Sequence, residues 1–260
     1  MDHKLLINEI FGPTIQGEGR FAGQRCAFVR LAICPLRCRW CDTAYTWAFS
    51  DALAARHQAH RKYEYEEEVH EMSVGDIVSH VNHSLNGSNL VILSGGEPLA
   101  QTPIALQKPD VSIDDLSDPI GRLAHLLAVY GVRMHVETAG IRRPSPYLDR
   151  HVGHYIVSPK LATSGNVEKA RRQLGVLMFF AESHKADFKF VVTEPEDFSE
   201  ISLLANLCSI PRDRIWVMPE GTSAEELQRK MPMVAERAVK FGYNVSTRLH
   251  VLIWGDERKR

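Results

Sequence analysis

The sequence predicts an α/β fold organised around parallel strands. Short apolar runs alternate with stretches of helical periodicity along most of the 260 residues. The inner runs are continuously apolar or β-branched, which is typical of strands covered on both faces. Strands that alternate with helices form βαβ units with right-handed crossovers. We therefore expect either a covered parallel sheet or an open β/α barrel.

Seven segments are predicted to be strands from their apolar and β-branched content. Because the strands recur with helical stretches between them, the carboxyl ends of the inner strands should lie along one rim. In chain order the predicted strands are Cys26–Ile33, Leu90–Leu93, Val132–Glu137, His154–Val157, Asp187–Val192, Arg214–Met218 and Leu249–Trp254.

Four helices are predicted from their start signals and apolar faces. Ser73 with Asp76 resembles a capping box, and Ser117-Asp-Pro119 begins a second helix. The third covers Glu196–Leu207. Ser223 with Glu226 begins the fourth, which Pro232 is expected to break or restart, because proline cannot donate the helical hydrogen bond.

Composition and charge set the class of protein. Hydrophobic residues make up 44% of the chain and the net charge is −1, which suits a globular protein and argues against a broad electrostatic surface for nucleic acid. No signal-peptide pattern or membrane-spanning stretch is visible. We expect a cytoplasmic protein with one domain over residues 1–260 and reduced cysteines.

Two segments interrupt the alternation of strands and helices. The segment 50–72 carries mixed charge and histidines, and is expected to be a solvated helix or loop, with a substrate lid as the alternative. The segment 101–118 is polar and contains two prolines, so it is expected to be a surface loop.

The most informative segment holds three of the five cysteines, Cys34, Cys38 and Cys41, directly after the first predicted strand. Structural zinc usually takes four ligands, and a [4Fe–4S] cluster normally takes four thiolates. With three thiolates, one iron would remain open to another ligand. Cys26 and Cys208 are expected to be small core residues. A zinc site or an unused thiol cluster is the alternative.

Polar turns follow several predicted strands. They are Ser94-Gly-Gly-Glu-Pro98, Glu137-Thr-Ala-Gly140, Ser158-Pro-Lys160 and Pro219-Glu-Gly221. Paired glycines permit close backbone approach and positive φ. Each turn could be only a polar turn, but together they would line one rim, as the active site of an α/β barrel does.

The spacing C-x3-C-x2-C resembles the motif of the radical S-adenosylmethionine superfamily. The ordered set Q-G-E-G, F-V-R-L, C-x3-C-x-W-C-D-T, S-G-G-E-P, E-T-x-G and S-P-K resembles the 7-carboxy-7-deazaguanine synthase family over nearly the whole chain. The resemblance implies a partial, open parallel β/α barrel of the radical type with about six core strands. It also implies a [4Fe–4S] cluster on the three cysteines, S-adenosylmethionine and Mg²⁺.

The resemblance further assigns residues to the cofactor. S-adenosylmethionine would bind the open iron and contact the cysteine segment and the later strand ends; simple packing is the alternative for the tryptophan. The implied residues are Trp40, Cys41, Asp42, Ser94, Gly95, Gly96, Glu97, Ser158, Lys160, Val217, Met218, Pro219 and Glu220.

A second implied set would bind the pterin substrate. An amide and a carboxylate suit the donor and acceptor edge of such a heterocycle, and an arginine can hold a carboxylate through two parallel hydrogen bonds. The set is Ile15, Gln16, Gly17, Glu18, Arg30, Ser94 and His250, with the Thr43 hydroxyl as an Mg²⁺ contact. A structural histidine, a surface ion pair and a helix cap are the alternatives for His250, Arg30 and Thr43.

The implied reaction converts 6-carboxy-5,6,7,8-tetrahydropterin to 7-carboxy-7-deazaguanine with loss of ammonia, within 7-deazapurine (queuosine) biosynthesis. A flavodoxin-like protein would donate the electron, and the enzyme would be a homodimer. The chain continues to Arg260 beyond His250, so we assign the terminus no substrate role. The alternatives are an activase of a glycyl-radical enzyme and a non-enzymatic iron–sulfur protein.

Overall fold

The computed structural model describes residues 3–58, 60–108, 110–113 and 115–260. Ala59 in the segment 50–72, and Pro109 and Asp114 in the segment 101–118, lie outside the described residues. The chain forms two compact units. The first contains Met1–Thr14, Arg25–Thr138 and Arg142–Tyr155, and the second contains Ile15–Gln24, Ala139–Ile141 and Ile156–Arg260.

The sheet of the first unit is mixed. Its strands follow the order β3-β1-β2-β4-β5. The neighbours β2–β4 and β4–β5 are parallel, whereas β3 pairs with β1 in the antiparallel sense. The strands are β1 (Lys4–Ile15), β2 (Arg25–Leu31), β3 (His70–Ser73), β4 (Leu90–Gly95) and β5 (Arg133–Thr138).

The two helices that the sequence predicts in the first unit, α3 (Val74–Leu85) and α4 (Pro119–Val129), begin at predicted caps. Ser73 accepts a hydrogen bond from the Asp76 amide at the start of α3, and Asp118 accepts one from the Ile120 amide at the start of α4. The apolar face of each is buried. The helices are α1 (Asp51–Ala54), α2 (Tyr65–Glu68), α3 (Val74–Leu85), α4 (Pro119–Val129) and α5 (Pro146–His151).

In the second unit the strands β7, β8 and β9 are neighbours in that order, and both pairs are parallel. The strand before them, β6, has its first two residues in the first unit and its last two in the second. All seven residues of β7 are buried, as expected for a strand covered on both faces. The elements are β6 (His154–Val157), α6 (Glu168–Arg171), α7 (Leu174–Glu182), β7 (Ala186–Val192), α8 (Asp197–Leu207), β8 (Ile215–Pro219), α9 (Ala224–Phe241), β9 (Asn244–Val245) and α10 (Leu249–Trp254).

Two predicted features are wrong. The segment Leu249–Trp254 is the helix α10, not a strand, because a short apolar run carries no period that separates the two. Pro232 lies inside α9 without ending it: the helix has 18 residues in all, from Ala224 to Phe241, and its apolar residues Leu227, Val234 and Ala238 are buried. Burial of that face outweighs the hydrogen bond that proline removes.

The predictions of the fold class and of the two core cysteines agree with the structure. The α/β fold with parallel strands is confirmed, and Cys26 and Cys208 are buried, at 0% and 1% exposure. Strand β1 was not predicted, although it lies beside β2 in the first unit. The segment 101–118 is not wholly a surface loop, since Thr102 and Asp118 are buried.

Among the described residues, no helix combines the length and apolar character needed to cross a bilayer.

Candidate functional site

The cysteine segment leaves the carboxyl end of β2 through a tight backbone turn. Ile33 has a φ of 69°, and its amide donates to the Thr46 carbonyl at 3.0 Å. The Glu97 amide, just after β4, donates to the Ile33 carbonyl at 3.1 Å. These two bonds fix the residue immediately before Cys34 between neighbouring strand ends, which is where parallel α/β sheets bind ligands.

The three thiols lie in surroundings that suit an iron–sulfur cluster. Cys34 and Cys41 pack against a buried cluster that contains Trp47. Burial raises the pKa of the Cys34 thiol, and the nearby Cys41 raises it further. Burial also raises the pKa of Cys41. Cys38 is buried and Cys34 and Cys41 are half-buried, and such grouped soft sulfur donors are the ligands that iron–sulfur clusters take.

The Cys41 sulfur has two polar neighbours. Cys41 Sγ accepts a hydrogen bond from Trp47 Nε1 at 3.3 Å and lies 3.5 Å from Thr43 Oγ1. Within the described residues, no group of three His, Cys, Asp or Glu side chains has metal-ligand spacing, and this includes the three thiols. The fit to a cluster therefore depends on the type and grouping of the donors.

The segment 50–72 contacts the cysteine segment instead of being only solvated. His57 Nε2 donates to the Cys41 carbonyl at 2.7 Å, and the Gln58 amide donates to the Arg39 carbonyl at 2.9 Å. From the cysteine segment itself, Arg37 donates to the Cys34 carbonyl and lies 5.4 Å from the Trp47 ring. The backbone carbonyls of the first and third cysteines therefore each have a side-chain donor.

The glycines after β4 lie against the backbone at the start of the cysteine segment. Gly95 has a φ of +131°, and a Cβ there would lie 2.2 Å from the Leu31 carbonyl oxygen. A Cβ on Gly96 would lie 2.1 Å from the Ile33 carbonyl oxygen and 2.9 Å from the Cys34 nitrogen. Only glycine permits this approach, so both are required by packing as well as by any cofactor.

The other polar residues of this turn are held by β5. Ser94 Oγ donates to Glu137 Oε2 at 2.6 Å. Glu97 is fully buried, and its Oε1 accepts from Thr138 Oγ1 at 2.7 Å and from the Leu99 amide at 3.2 Å. The E-T-x-G motif thus fixes the S-G-G-E-P turn.

Arg30 is paired within the first unit. Its Nε donates to Glu9 Oε1 at 2.8 Å, and its guanidinium lies 5.8 Å from the Phe11 ring and 6.0 Å from the Tyr45 ring. Burial lowers the pKa of Arg30, but Tyr45 and Glu9 outweigh it and leave the pKa above its ordinary value. Arg30 stands opposite Ser94 in the parallel register of β2 and β4. Two residues assigned to the substrate are therefore neighbours on one sheet.

Glu18 is the centre of a buried ionic group in the second unit. Its Oε1 accepts from Arg248 Nε at 2.9 Å, and its Oε2 accepts from Lys189 Nζ. Burial raises the pKa of Glu18, but Lys189, Arg248 and His250 outweigh it and hold the pKa well below its usual range. Arg248 also donates to the Gly221 carbonyl at 2.7 Å. Glu18 is therefore an ionised, rigidly held acceptor.

The Q-G-E-G loop and the start of α10 pack closely. A Cβ on Gly17 would lie 1.9 Å from His250 Nδ1, so the imidazole occupies the space that any larger residue would need. The Leu249 amide donates to the Gly17 carbonyl at 2.8 Å. Gln16 is buried, and its Oε1 accepts from the Glu18 amide at 3.2 Å. The structure thus brings Gln16, Gly17, Glu18 and His250 together.

The remaining residues that the resemblance assigns to the cofactor belong to the second unit. Lys160 Nζ donates to Ser158 Oγ at 3.0 Å after β6. At the end of β8, Val217 and Met218 are buried, and Glu220 pairs with Lys230 at 2.5 Å. The assigned set is thus divided between the units, with the residues at 40–42 and 94–97 in the first unit and those at 158–160 and 217–220 in the second.

Among the residues that contact the assigned ones, sequence reasoning missed Glu9, Trp47, Lys189 and Arg248. Lys189 carried a signal, since a lysine inside the otherwise apolar run Phe188-Lys-Phe-Val-Val192 requires a buried partner. Arg248 lies two positions before His250, and only the tertiary contact with Glu18 distinguishes it from other arginines.

Comparisons with known proteins agree with this geometry. A family model described as a 4Fe-4S single cluster domain matches residues 15–108. The 7-carboxy-7-deazaguanine synthase of Pyrobaculum aerophilum is 34% identical over 98% of this chain and 97% of its own length. The enzyme of that name from Halobacterium salinarum is 35% identical over 97% of this chain and 91% of its own length.

Solved structures show the same fold. The crystal structure of QueE from Escherichia coli superposes with a TM-score of 0.65 at 23% identity and covers 95% of both chains. Streptococcus suis SuiB bound to S-adenosylmethionine gives a TM-score of 0.51 at 16% identity, covering 83% of this chain and 48% of its own.

Proposed function

The chain belongs to the 7-carboxy-7-deazaguanine synthase family of radical S-adenosylmethionine enzymes, and from that premise we propose how its residues act. It converts 6-carboxy-5,6,7,8-tetrahydropterin to 7-carboxy-7-deazaguanine with loss of ammonia, in 7-deazapurine biosynthesis. When bound, the [4Fe–4S] cluster and S-adenosylmethionine supply the radical that removes a hydrogen atom from the substrate.

The observation that carries the proposal for the substrate is the Glu18 group. A pterin edge presents ring N–H donors, and an ionised carboxylate fixed by two cations accepts from them without reorganising. His250 and Gln16, packed beside it, would complete the acceptor and donor pattern, with the backbone of Ile15 and Gly17 bordering the same loop. Lys189 and Arg248 hold Glu18 in the ionised form.

We assign the carboxylate of the substrate to Arg30. Glu9 engages its Nε and so fixes the plane of the guanidinium, which favours a bidentate grip on a planar carboxylate. Ser94, opposite Arg30 in the register, would offer a hydroxyl to the same ligand. Thr43 would offer its hydroxyl to Mg²⁺, a cation that prefers oxygen ligands.

Cys34, Cys38 and Cys41 would hold three irons of the cluster. From the resemblance we assign contacts with S-adenosylmethionine to residues 40–42 and 94–97 of the first unit, and to Ser158, Lys160 and residues 217–220 of the second. A cytoplasmic location would keep the thiols reduced. We further propose a flavodoxin-like electron donor, a homodimer and one catalytic domain over residues 1–260.

The test is anaerobic turnover. Protein reconstituted to about four irons per chain, as a cubane cluster requires, is mixed with reductant, S-adenosylmethionine, Mg²⁺ and 6-carboxy-5,6,7,8-tetrahydropterin. The expected product is 7-carboxy-7-deazaguanine. Failure to form it, with the cluster spectrum intact and S-adenosylmethionine still cleaved, contradicts the proposed substrate. Omission of Mg²⁺ tests the requirement for the metal separately.

A further inference from the structure

Trp47 has a contact that packing alone does not require. Its side chain is buried, at 2% exposure, beside Ala44 and Ala48, and Cys34 and Cys41 pack against this group. A buried indole usually directs its N–H to a polar partner. Here the partner is Cys41 Sγ, at 3.3 Å. Trp47 therefore places a proton donor on a sulfur that is assigned to the cluster.

The orientation of Trp47 is fixed by two neighbours that also bind the cysteine segment. Arg37 lies 5.4 Å from the indole ring and donates to the Cys34 carbonyl. His57 meets the ring edge-on, with ring centroids 6.1 Å apart, and donates to the Cys41 carbonyl at 2.7 Å. The indole ring thus shares His57 with the backbone of Cys41 and Arg37 with the backbone of Cys34.

His57 comes from the segment 50–72, whose role the reaction does not explain. Ser50 caps α1 by accepting from the Leu53 amide at 3.3 Å, and the His57 amide then donates to the Ala54 carbonyl at 2.9 Å. Gln58 adds a backbone bond to the Arg39 carbonyl at 2.9 Å. This short helical turn therefore places His57 at the backbone carbonyl of the third cysteine, Cys41.

We propose that Trp47 is a positioning residue that sets the reduction potential of the iron–sulfur cluster. His57 holds the Trp47 ring and the Cys41 backbone in the relative position that this hydrogen bond requires. This inference rests on the cluster of the proposed function. A reduced cluster carries one more negative charge than an oxidised one. An N–H donor on a ligand sulfur stabilises the reduced form more, and so raises the reduction potential. The segment 50–72 thereby contributes to electron uptake.

The first test measures midpoint potentials of the reconstituted protein by redox titration followed by electron paramagnetic resonance. Trp47→Phe keeps an aromatic ring but removes the donor. We expect its reduction equilibrium to fall tenfold, which is about 59 mV for one electron. Trp216→Phe is the control, because the Trp216 indole nitrogen is buried without a hydrogen-bond partner among the described residues. Its potential should equal that of the wild type.

The second test addresses His57. His57→Phe keeps the edge-on ring contact but loses the bond to the Cys41 carbonyl, whereas His57→Gln keeps a donor. We expect His57→Phe to lower the reduction potential, as Trp47→Phe does. The potential of His57→Gln should lie closer to that of the wild type than the potential of His57→Phe does. A purely structural role would change cluster retention in these variants while leaving the potential of the retained cluster unchanged.

The results separate this inference from the proposed function. If the wild type binds no cubane cluster, the proposed function fails. If the cluster forms and Trp47→Phe has the wild-type potential, only this inference is overturned. Should Trp47→Phe fail to fold, electron–nuclear double resonance on reduced protein with ¹⁵N-labelled tryptophan, in a Trp40→Phe background, decides it. A coupled, exchangeable indole N–H supports the inference, and absence of the coupling overturns it.

Discussion

Glu18 and Arg248 are 230 positions apart in the chain, yet Arg248 Nε donates to Glu18 Oε1 at 2.9 Å in a buried ion pair. Lys189 holds the other carboxylate oxygen. The second unit therefore builds its acceptor from three distant parts of the sequence, and an isolated Q-G-E-G motif would not reveal why its glutamate stays ionised.

Removing the charge of Glu18 should destabilise the protein and weaken substrate binding. Glu18→Gln leaves Lys189 and Arg248 buried without their anion, a change that costs about 3–5 kcal/mol. We expect the free energy of unfolding in urea to fall by about that amount and KM for the pterin to rise. Glu257→Gln is the control, because its pair with Arg260 is exposed and should not matter measurably. Unchanged stability in Glu18→Gln would contradict the ionic group.

Replacing a cysteine that is assigned to the cluster should affect iron content and activity, whereas replacing a core cysteine should not. Cys38→Ala is expected to remain folded, to lose most of its iron after reconstitution and to cleave no S-adenosylmethionine. Cys208→Ala removes a thiol that is equally buried but lies in the second unit, at the end of α8. It should retain its iron and activity. Iron analysis and the visible spectrum check both, and full iron in Cys38→Ala would rule out the ligand assignment.

Arg30 should act on the substrate more than on the cofactor. Arg30→Lys keeps the charge but loses the planar fork, so we expect KM for the pterin to rise by about tenfold or more, equivalent to about 1.4 kcal/mol. Cleavage of S-adenosylmethionine should change much less. Glu9→Gln weakens the bond that orients Arg30 and should shift KM in the same direction by a smaller factor. Equal losses in both reactions would argue against a substrate contact.

The close approach of Gly96 to the cysteine segment should not tolerate a methyl group. In Gly96→Ala the Cβ would meet the Ile33 backbone at 2.1 Å, so β4 or the segment must move. We expect lower stability and poor iron incorporation. Gly175→Ala, where a Cβ meets nothing within 4 Å in α7, should be neutral or raise stability through helix propensity. Thermal melting and iron content compare the two, and normal iron in Gly96→Ala would refute the packing requirement.

Because of His135, the free energy of unfolding should fall as the pH is lowered into the mildly acidic range. Burial, with smaller effects from His154 and Arg133, lowers its pKa from 6.5 to about 4. Below pH 6.5 the unfolded chain binds a proton that the folded protein takes up only near pH 4. Stability is therefore lost as the pH falls through that window, by an amount on the order of 2 kcal/mol.

Urea unfolding at several pH values checks this slope. His135→Leu should flatten the dependence between pH 7 and pH 4, because it removes a group that binds its proton at a higher pH in the unfolded chain than in the folded protein. His83→Leu is the matched control, since His83 is exposed on α3 and should leave the slope unchanged. If the two variants show the same slope, His135 is not its source.

Much of the candidate site could be predicted from the sequence, because its chemistry depends on short, local patterns. The C-x3-C-x2-C spacing, the S-G-G-E-P turn and the Q-G-E-G loop each specify residue types that few other structures need in that order. Strand β4 and helices α3 and α4 carried clear periods and caps, and the structure has them. Leu249–Trp254 had neither, and its apolar run was assigned to the wrong element.

The tertiary structure decided what lies behind those motifs. No pattern in the chain links Glu18 to Lys189 and Arg248, or Arg30 to Glu9, because these contacts depend on how distant strands and loops pack. Cys41 and Trp47 are six positions apart, but their contact depends on how the loop between them folds. The sequence by itself determined which groups can do chemistry, since residue type sets donor, acceptor and charge. Packing determined which of them are ionised, oriented or hydrogen-bonded, since a buried polar group takes these properties from its neighbours.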